Sequence, residues 1–271
     1  MNSKQLKILA VCCMVFDHVT RIFPLRELFL PVCEALWAAE QTALGDWVLE
    51  RLPYLLSYIG RLAAPLFLFG AAESFAHTRS TGRYLRRLLM AAILSQVPYV
   101  LFDLAESRLF GLSGSWRDVY GNILFTIALG VAALWLCERL RGAGRPFLAA
   151  AGALAAMGLS YVLPIEGGKG YVLLIFVFYY TRRLPRWQRG LLYLPAVVLA
   201  RLGLVLWAFG DPRALSTVLL NILGPYLGML AALLYNGRKG RRGKAFERFW
   251  YAFYPAHFAL LALAGFLRPP F

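Results

Sequence analysis

The sequence predicts an all-α fold: a polytopic transmembrane helix bundle of about nine spans, N-terminus cytoplasmic and C-terminus outside. Three observations carry that prediction. Hydrophobic residues fill 60% and charged residues 16% of the 271 positions, where a soluble domain carries nearer about 25% charge; mean hydropathy is +0.60. The apolar residues arrive in runs of about 17 to 25, the length a helix needs to cross about 30 Å of hydrocarbon, and not in the alternating segments of a membrane barrel. The connections between runs also alternate in charge. One set holds nineteen Lys and Arg, in the N-terminus and around Arg79–Arg87, Arg139–Arg145, Arg182–Arg189 and Arg238–Arg248, whereas the other set holds eight. The positive-inside rule puts the richer set in the cytoplasm.

The runs read as spans at about 5–24, 53–77, 86–103, 119–138, 146–164, 168–181, 190–209, 215–235 and 249–267. Lys4 and Lys7 before the first run resemble a secretory signal. Asp17 and His18 interrupt that run and no small-residue cleavage site follows, so it is expected to remain as an uncleaved first helix. Residues 25–52, with LFLPVCEALWAAE, suit an interfacial or re-entrant segment. The sixth span is short and opens on Gly167-Gly168-Lys169-Gly170. No internal repeat stands out, which weakens a transporter built from inverted halves, and no stretch is long enough for a separate soluble domain. Residues 1–271 therefore read as one integral membrane domain.

Cys12 and Cys13 lie within the first run and Cys137 at the end of another, leaving Cys33 as the one cysteine expected outside the membrane and no disulfide framework. The net charge of +15 follows the loops, so it is read as orientation and anionic-lipid contact; nucleic acid is not expected as a partner. The chain has no HExxH, CxxC, G-x-S-x-G, G-x-G-x-x-G or Walker motif, and no metal site is expected.

Chemistry-bearing residues concentrate around the three histidines. Ionisable groups within a span are costly and normally face a cavity with a function. Asp17 and His18 point about 100° apart on one helix, so Arg21, one turn on, is the expected partner of Asp17, leaving His18 to exchange protons near neutral pH. A histidine hydrogen-bonded between helices is an equally weighted alternative. Glu73 and His77 share a face one turn apart and approach Arg79, Arg83, Arg86 and Arg87, a cluster whose guanidinium forks suit phosphates. A helix-seating ion pair and lipid contact explain the same residues. Arg61, read as purely structural, would pair with Asp17 across the first two spans. Ser95, Gln96, Asn122 and Thr126 are either packing amides and hydroxyls, worth about 0.6 kcal/mol each, or donors to a developing oxyanion. His257 lies in FWYAFYPAH, beside Tyr254.

The blocks LKILAVCCMVFDHV, IGRLAAPLFLFGAAESFAHTRSTGRYLRRLLMAAILSQVPY, GNILFTIALG and YAFYPAHFALL occur in this order, and the chain from Leu6 to about Leu261 resembles the TraX family of bacterial membrane proteins. The family is named for a pilin N-acetylase and sits within the wider membrane acyltransferase group. The resemblance implies a multi-pass protein of the bacterial cytoplasmic (inner) membrane that moves an acetyl or other acyl group from cytoplasmic acetyl-CoA to an amine or hydroxyl. The acceptor would be a peptide or pilin N-terminus, a sugar or a small molecule. It places Asp17, His18, Asn122 and His257 in catalysis, with His18 as general base or transient acyl carrier. Glu73, His77, Arg79, Arg83, Arg86 and Arg87 would bind acetyl-CoA. Arg61, Gln96, Thr126, Glu166 and Tyr254 would bind acceptor. PIEGGKG departs from the Asp-Tyr-Gly type sequence more frequent in relatives, with Glu166 standing in for the acid. Membrane lipids are expected partners, and homo-oligomerisation stays open. A proton-coupled transporter or exporter is the alternative function, and a non-catalytic scaffold the third.

Overall fold

The computed structural model describes residues 1–208, 214–238, 240 and 244–271. Arg213, Lys239, Arg241 and Arg242, which enter the charge count, lie outside them, as do residue 209 and the side chains of Lys169, Lys244 and Arg248. Twelve helices are described, and among the described residues no strand forms; one parallel bridge joins Gly121 to Ile165.

Helix α1 (Ser3–Ile22) starts on a capping box in which the Asn2 side chain accepts from the Lys4 and Gln5 amides while Gln5 returns to the Asn2 amide, satisfying N–H groups that have no partner within the helix. Pro24 disfavours helix at Phe23, and α2 (Leu25–Ala38) leaves at 70° to α1. Helix α3 (Thr42–Arg61) returns along α2. The segment read as interfacial is thus a helical hairpin whose second arm runs into the second span. Cys33, expected outside the membrane, is fully buried in it, and all four cysteines are free thiols.

Helix α4 (Ala63–His77) continues α3 after a break at Leu62. α5 (Thr81–Leu109) is longer than the span read at 86–103, and α6 (Ile123–Gly142) starts at 123 and not 119. Helices α7 (Pro146–Val162) and α8 (Gly168–Thr181) match their runs. The seventh span is instead two helices, α9 (Arg186–Ala200) and α10 (Leu202–Ala208), parted at Arg201. Helices α11 (Leu215–Ala232) and α12 (Lys244–Leu267) complete the described chain.

By length and apolar composition, four described stretches are able to cross a membrane: Thr42–His77, Thr81–Leu109, Ile123–Gly142 and Leu215–Ala232. The bent α1–α2 pair makes a fifth, and three shorter apolar helices accompany them. Nine crossings is therefore a finer reading than these helices establish.

Helix α4 is the hub, packing against α1, α6, α8 and α11, while α12 lies along α5 and touches α1. The ends sort into two groups. The Met1 ammonium donates to Leu234 O and the Ser3 amide to Arg238 O, while Arg186 reaches Tyr235 O. At the opposite end Arg268 bonds Ile22 O and pairs with Glu27, and Arg108 donates to Arg268 O at 2.8 Å.

Candidate functional site

The dyad is built by α1 and α12, which place His18 Nδ1 2.9 Å from His257 Nε2. The rings lie within 13° of parallel, and Phe102 and Phe258 pack on His18 with centroids 5.5 and 4.7 Å away. His257 Nδ1 in turn lies 3.2 Å from Phe253 O. A carbonyl only accepts, so His257 Nδ1 carries hydrogen and its Nε2 is an acceptor. His18 Nδ1–H then donates to it, and the lone pair of His18 falls on Nε2. That nitrogen has no hydrogen-bond partner among the described residues. An uncharged imidazole with its tautomer fixed from behind can receive a proton at one known atom.

His18 lines a cavity of about 70 Å³, together with Asp17, Arg61, Glu166, Arg201 and Tyr254. At about 10–15 Å³ per water centre this is room for about five waters. The cavity forms where helices begin or break, and such breaks are tolerated at membrane depth only where protein or a cavity receives the freed polar groups. Gly60 and Arg61 stand at the α3–α4 break, where Pro65 has no N–H to offer the Arg61 carbonyl. Arg201 stands at the α9–α10 break, Glu166 in the turn before α8, and Ile123 at the start of α6.

Two glycines allow the close approaches at this wall. A Cβ on Gly60 would overlap the Asp17 carboxylate, so Asp17 sits where a larger residue would be. A Cβ on Gly224 of α11 would come within 2.5 Å of Arg61 Cβ, so the arginine stem lies directly on the α11 backbone.

Two ion-pair readings are corrected. Arg21 reaches across to α5 and pairs with Asp103 and Glu106, not with Asp17; two carboxylates on a neighbouring helix outcompete one acid on its own. Arg61 makes no ion pair with Asp17, although both face the cavity, and among the described residues it has no ion-pair partner. The expected Glu73–His77 contact is present at 3.1 Å.

Asn122, Gln96 and Thr126 lie beside the cavity, committed to holding it. Asn122 Oδ1 caps α6 by accepting from the Leu124 amide at 3.1 Å, while Nδ2 donates to Ala92 O at 2.8 Å and to Gln96 Oε1 at 2.9 Å. Both amide hydrogens are in use, which leaves none for an oxyanion. Gln96 donates onward to Tyr120 O, and Thr126 Oγ1 donates to Glu166 O at 2.6 Å. The Glu166 carboxylate accepts from the Ile123 amide at 3.1 Å, setting an anion against the positive end of α6. Asn122→Ala removes the cap and both amide bonds. We expect it to lower stability by about 2 kcal/mol, read as an earlier unfolding midpoint of the detergent-solubilised protein; an unchanged midpoint would contradict this bonding.

A second concavity, of about 240 Å³, lies at the α4–α5 turn and is lined by Thr78, Arg79, Ser80, Arg83, Arg86 and Arg87. The expected phosphate-binding arginines therefore share one pocket. Glu73 and His77 stand on the last turn of α4 next to it but do not line it. Among the described residues no three His, Cys, Asp or Glu side chains converge as a metal would need.

The sequence reading passed over Gly60, Tyr171 and Arg201. An arginine closing the apolar run LPAVVLAR was the available signal for the last.

A family model described as TraX protein matches residues 2–264. The chain belongs to the TraX family. It is 30% identical to the probable fimbrial assembly protein FimC, serogroup H1, of Dichelobacter nodosus, over 97% of this chain and 95% of that protein. No solved structure matches. The TraX match takes in both the dyad and the arginine pocket.

Proposed function

We propose that this TraX-family protein is a membrane-embedded acyltransferase that moves an acetyl group from acetyl-CoA to an amine or hydroxyl acceptor such as a peptide or pilin N-terminus. The observation that carries the reading is a buried imidazole with a free Nε2, held by a second histidine on the wall of a charged cavity inside apolar helices. The fimbrial-assembly name of the relative supports a pilin-related acceptor. In this reading the chain makes nine crossings of the bacterial inner membrane, with the arginine-rich turn on the cytoplasmic face.

The adenosine and phosphates of CoA bind at Arg79, Arg83, Arg86 and Arg87, where guanidinium groups match phosphate oxygens. From Thr78, which lines that pocket, to Phe67, which lines the cavity, is eleven residues of α4, about 16 Å at 1.5 Å per residue. The pantetheine arm, extended along α4, delivers the thioester there. His18 Nε2 takes a proton from the acceptor nitrogen as it attacks the thioester carbon, forming C–N. The Tyr254 hydroxyl donates to the developing oxyanion. The C–S bond then breaks, and the proton passes from His18 to the departing thiolate. An acceptor that enters as ammonium releases its first proton to water beforehand.

Exchanging Arg83 and Arg86 for Gln is expected to raise KM for acetyl-CoA about tenfold or more with little change in kcat, and to flatten the salt dependence of KM. Steady-state kinetics across ionic strengths check this. An unaltered KM would remove the arginine pocket from donor binding.

A further inference from the structure

Four charged groups meet at the cavity without neutralising one another. Among the described residues neither Arg61 nor Arg201 has a carboxylate within ion-pairing distance, and the one hydrogen bond of Arg201 is a long one, 3.5 Å to Tyr171 Oη, with its guanidinium 5.4 Å from that ring. Asp17 has no side-chain hydrogen bond among the described residues, and the Glu166 carboxylate, without an ion pair, accepts from the Ile123 amide and the Tyr99 hydroxyl. Charges without ion-pair partners among apolar helices normally serve a function, and two of each sign lining one cavity fit a guest carrying one of each.

We infer that the acceptor is a zwitterion: a primary amine with a carboxylate or phosphate a short spacer away, its nitrogen at Asp17 and His18 Nε2 and its anion between Arg61 and Arg201. The inference rests on the acyltransferase reading and narrows its acceptor. A cavity of this size suits a small head group and not a folded peptide. A polypeptide acceptor would therefore present only its terminal amine and one adjoining acid. Guanidinium groups bind either anion through paired N–H donors, and Gly224 lets the stem of Arg61 lie against α11.

The test uses the full-length protein in detergent or nanodiscs and four probes: β-alanine, 2-aminoethyl phosphate, propylamine and ethanolamine. Calorimetric binding is measured first without acetyl-CoA, then acetyl transfer to each probe with it. At least one anionic amine should bind tenfold or more tighter than propylamine and ethanolamine, and that probe identifies the anion. Arg61→Gln and Arg201→Gln should each erase the preference while leaving propylamine unchanged. Equal affinity for all four wild-type probes overturns the inference, as does an equal loss for every probe in both variants. Transfer to propylamine as efficient as to both anionic amines overturns it as well and leaves acyl transfer standing. Selective binding of either anionic amine with no transfer to any amine keeps the anion site and overturns the acyltransferase reading.

Discussion

Replacing His18 with alanine is expected to lower acetyl transfer by about 10²- to 10⁴-fold, the range that a positioned general base contributes. The site offers one unengaged imidazole nitrogen, on a residue that lines the cavity, and the substitution removes it. Because His18 packs on Phe102 and Phe258, alanine also leaves a void, so the decisive companion is His18→Gln. Its amide N–H₂ keeps a donor toward His257 Nε2 and most of the volume but has no basic nitrogen. Both variants should be inactive, and His18→Gln should keep the wild-type unfolding midpoint within a few degrees. Activity retained by His18→Gln would show that the dyad is a structural hydrogen bond between α1 and α12. Loss of the fold in both would make the same point by another route.

Gly60→Val is expected to cost about 100-fold in kcat although residue 60 carries no functional group. Its Cβ would fall on the Asp17 carboxylate, so either α3 withdraws from α1 or Asp17 swings away. Both displace Asp17, and Arg61 next to it, by about 1 Å, a misplacement able to cost about 10²-fold. Gly70→Ala on α4 is the matched control, since a Cβ there meets nothing within 4 Å. It should leave activity unchanged and add a few tenths of a kcal/mol of helix stability. Equal activity of the two variants would show that the α3–α4 break does not hold the Asp17 position.

What the sequence made legible follows from the range of the forces involved. The Glu73–His77 contact and the Asn2–Gln5 capping box are set by a single helical turn, so spacing alone predicts or explains them. The apolar runs gave the all-helical class for the same reason. The His18–His257 bond spans 239 residues, and nothing local to either histidine signals the other. Arg21 shows the opposite failure: one-turn spacing pointed to Asp17, but Asp103 and Glu106 on α5 offer two carboxylates. Sequence left Asn122 either a packing amide or an oxyanion donor, since both roles need the same residue at the start of a span, and its hydrogens close the α5–α6 junction. Breaks within long apolar runs, at Leu62 and at Arg201, set the cavity, and hydropathy averages over them.

The most direct measurement of the central claim is the stoichiometry of turnover by the purified protein in nanodiscs, given acetyl-CoA and the anionic amine it binds, β-alanine or 2-aminoethyl phosphate. Free thiol is followed spectroscopically and acetylated product by mass, for the wild type and His18→Gln. One acetylated acceptor per CoA released, abolished in His18→Gln, is the predicted result. No release of CoA under conditions where the protein is folded and binds that amine would contradict the acyltransferase account and turn attention to proton-coupled transport through the same charged cavity.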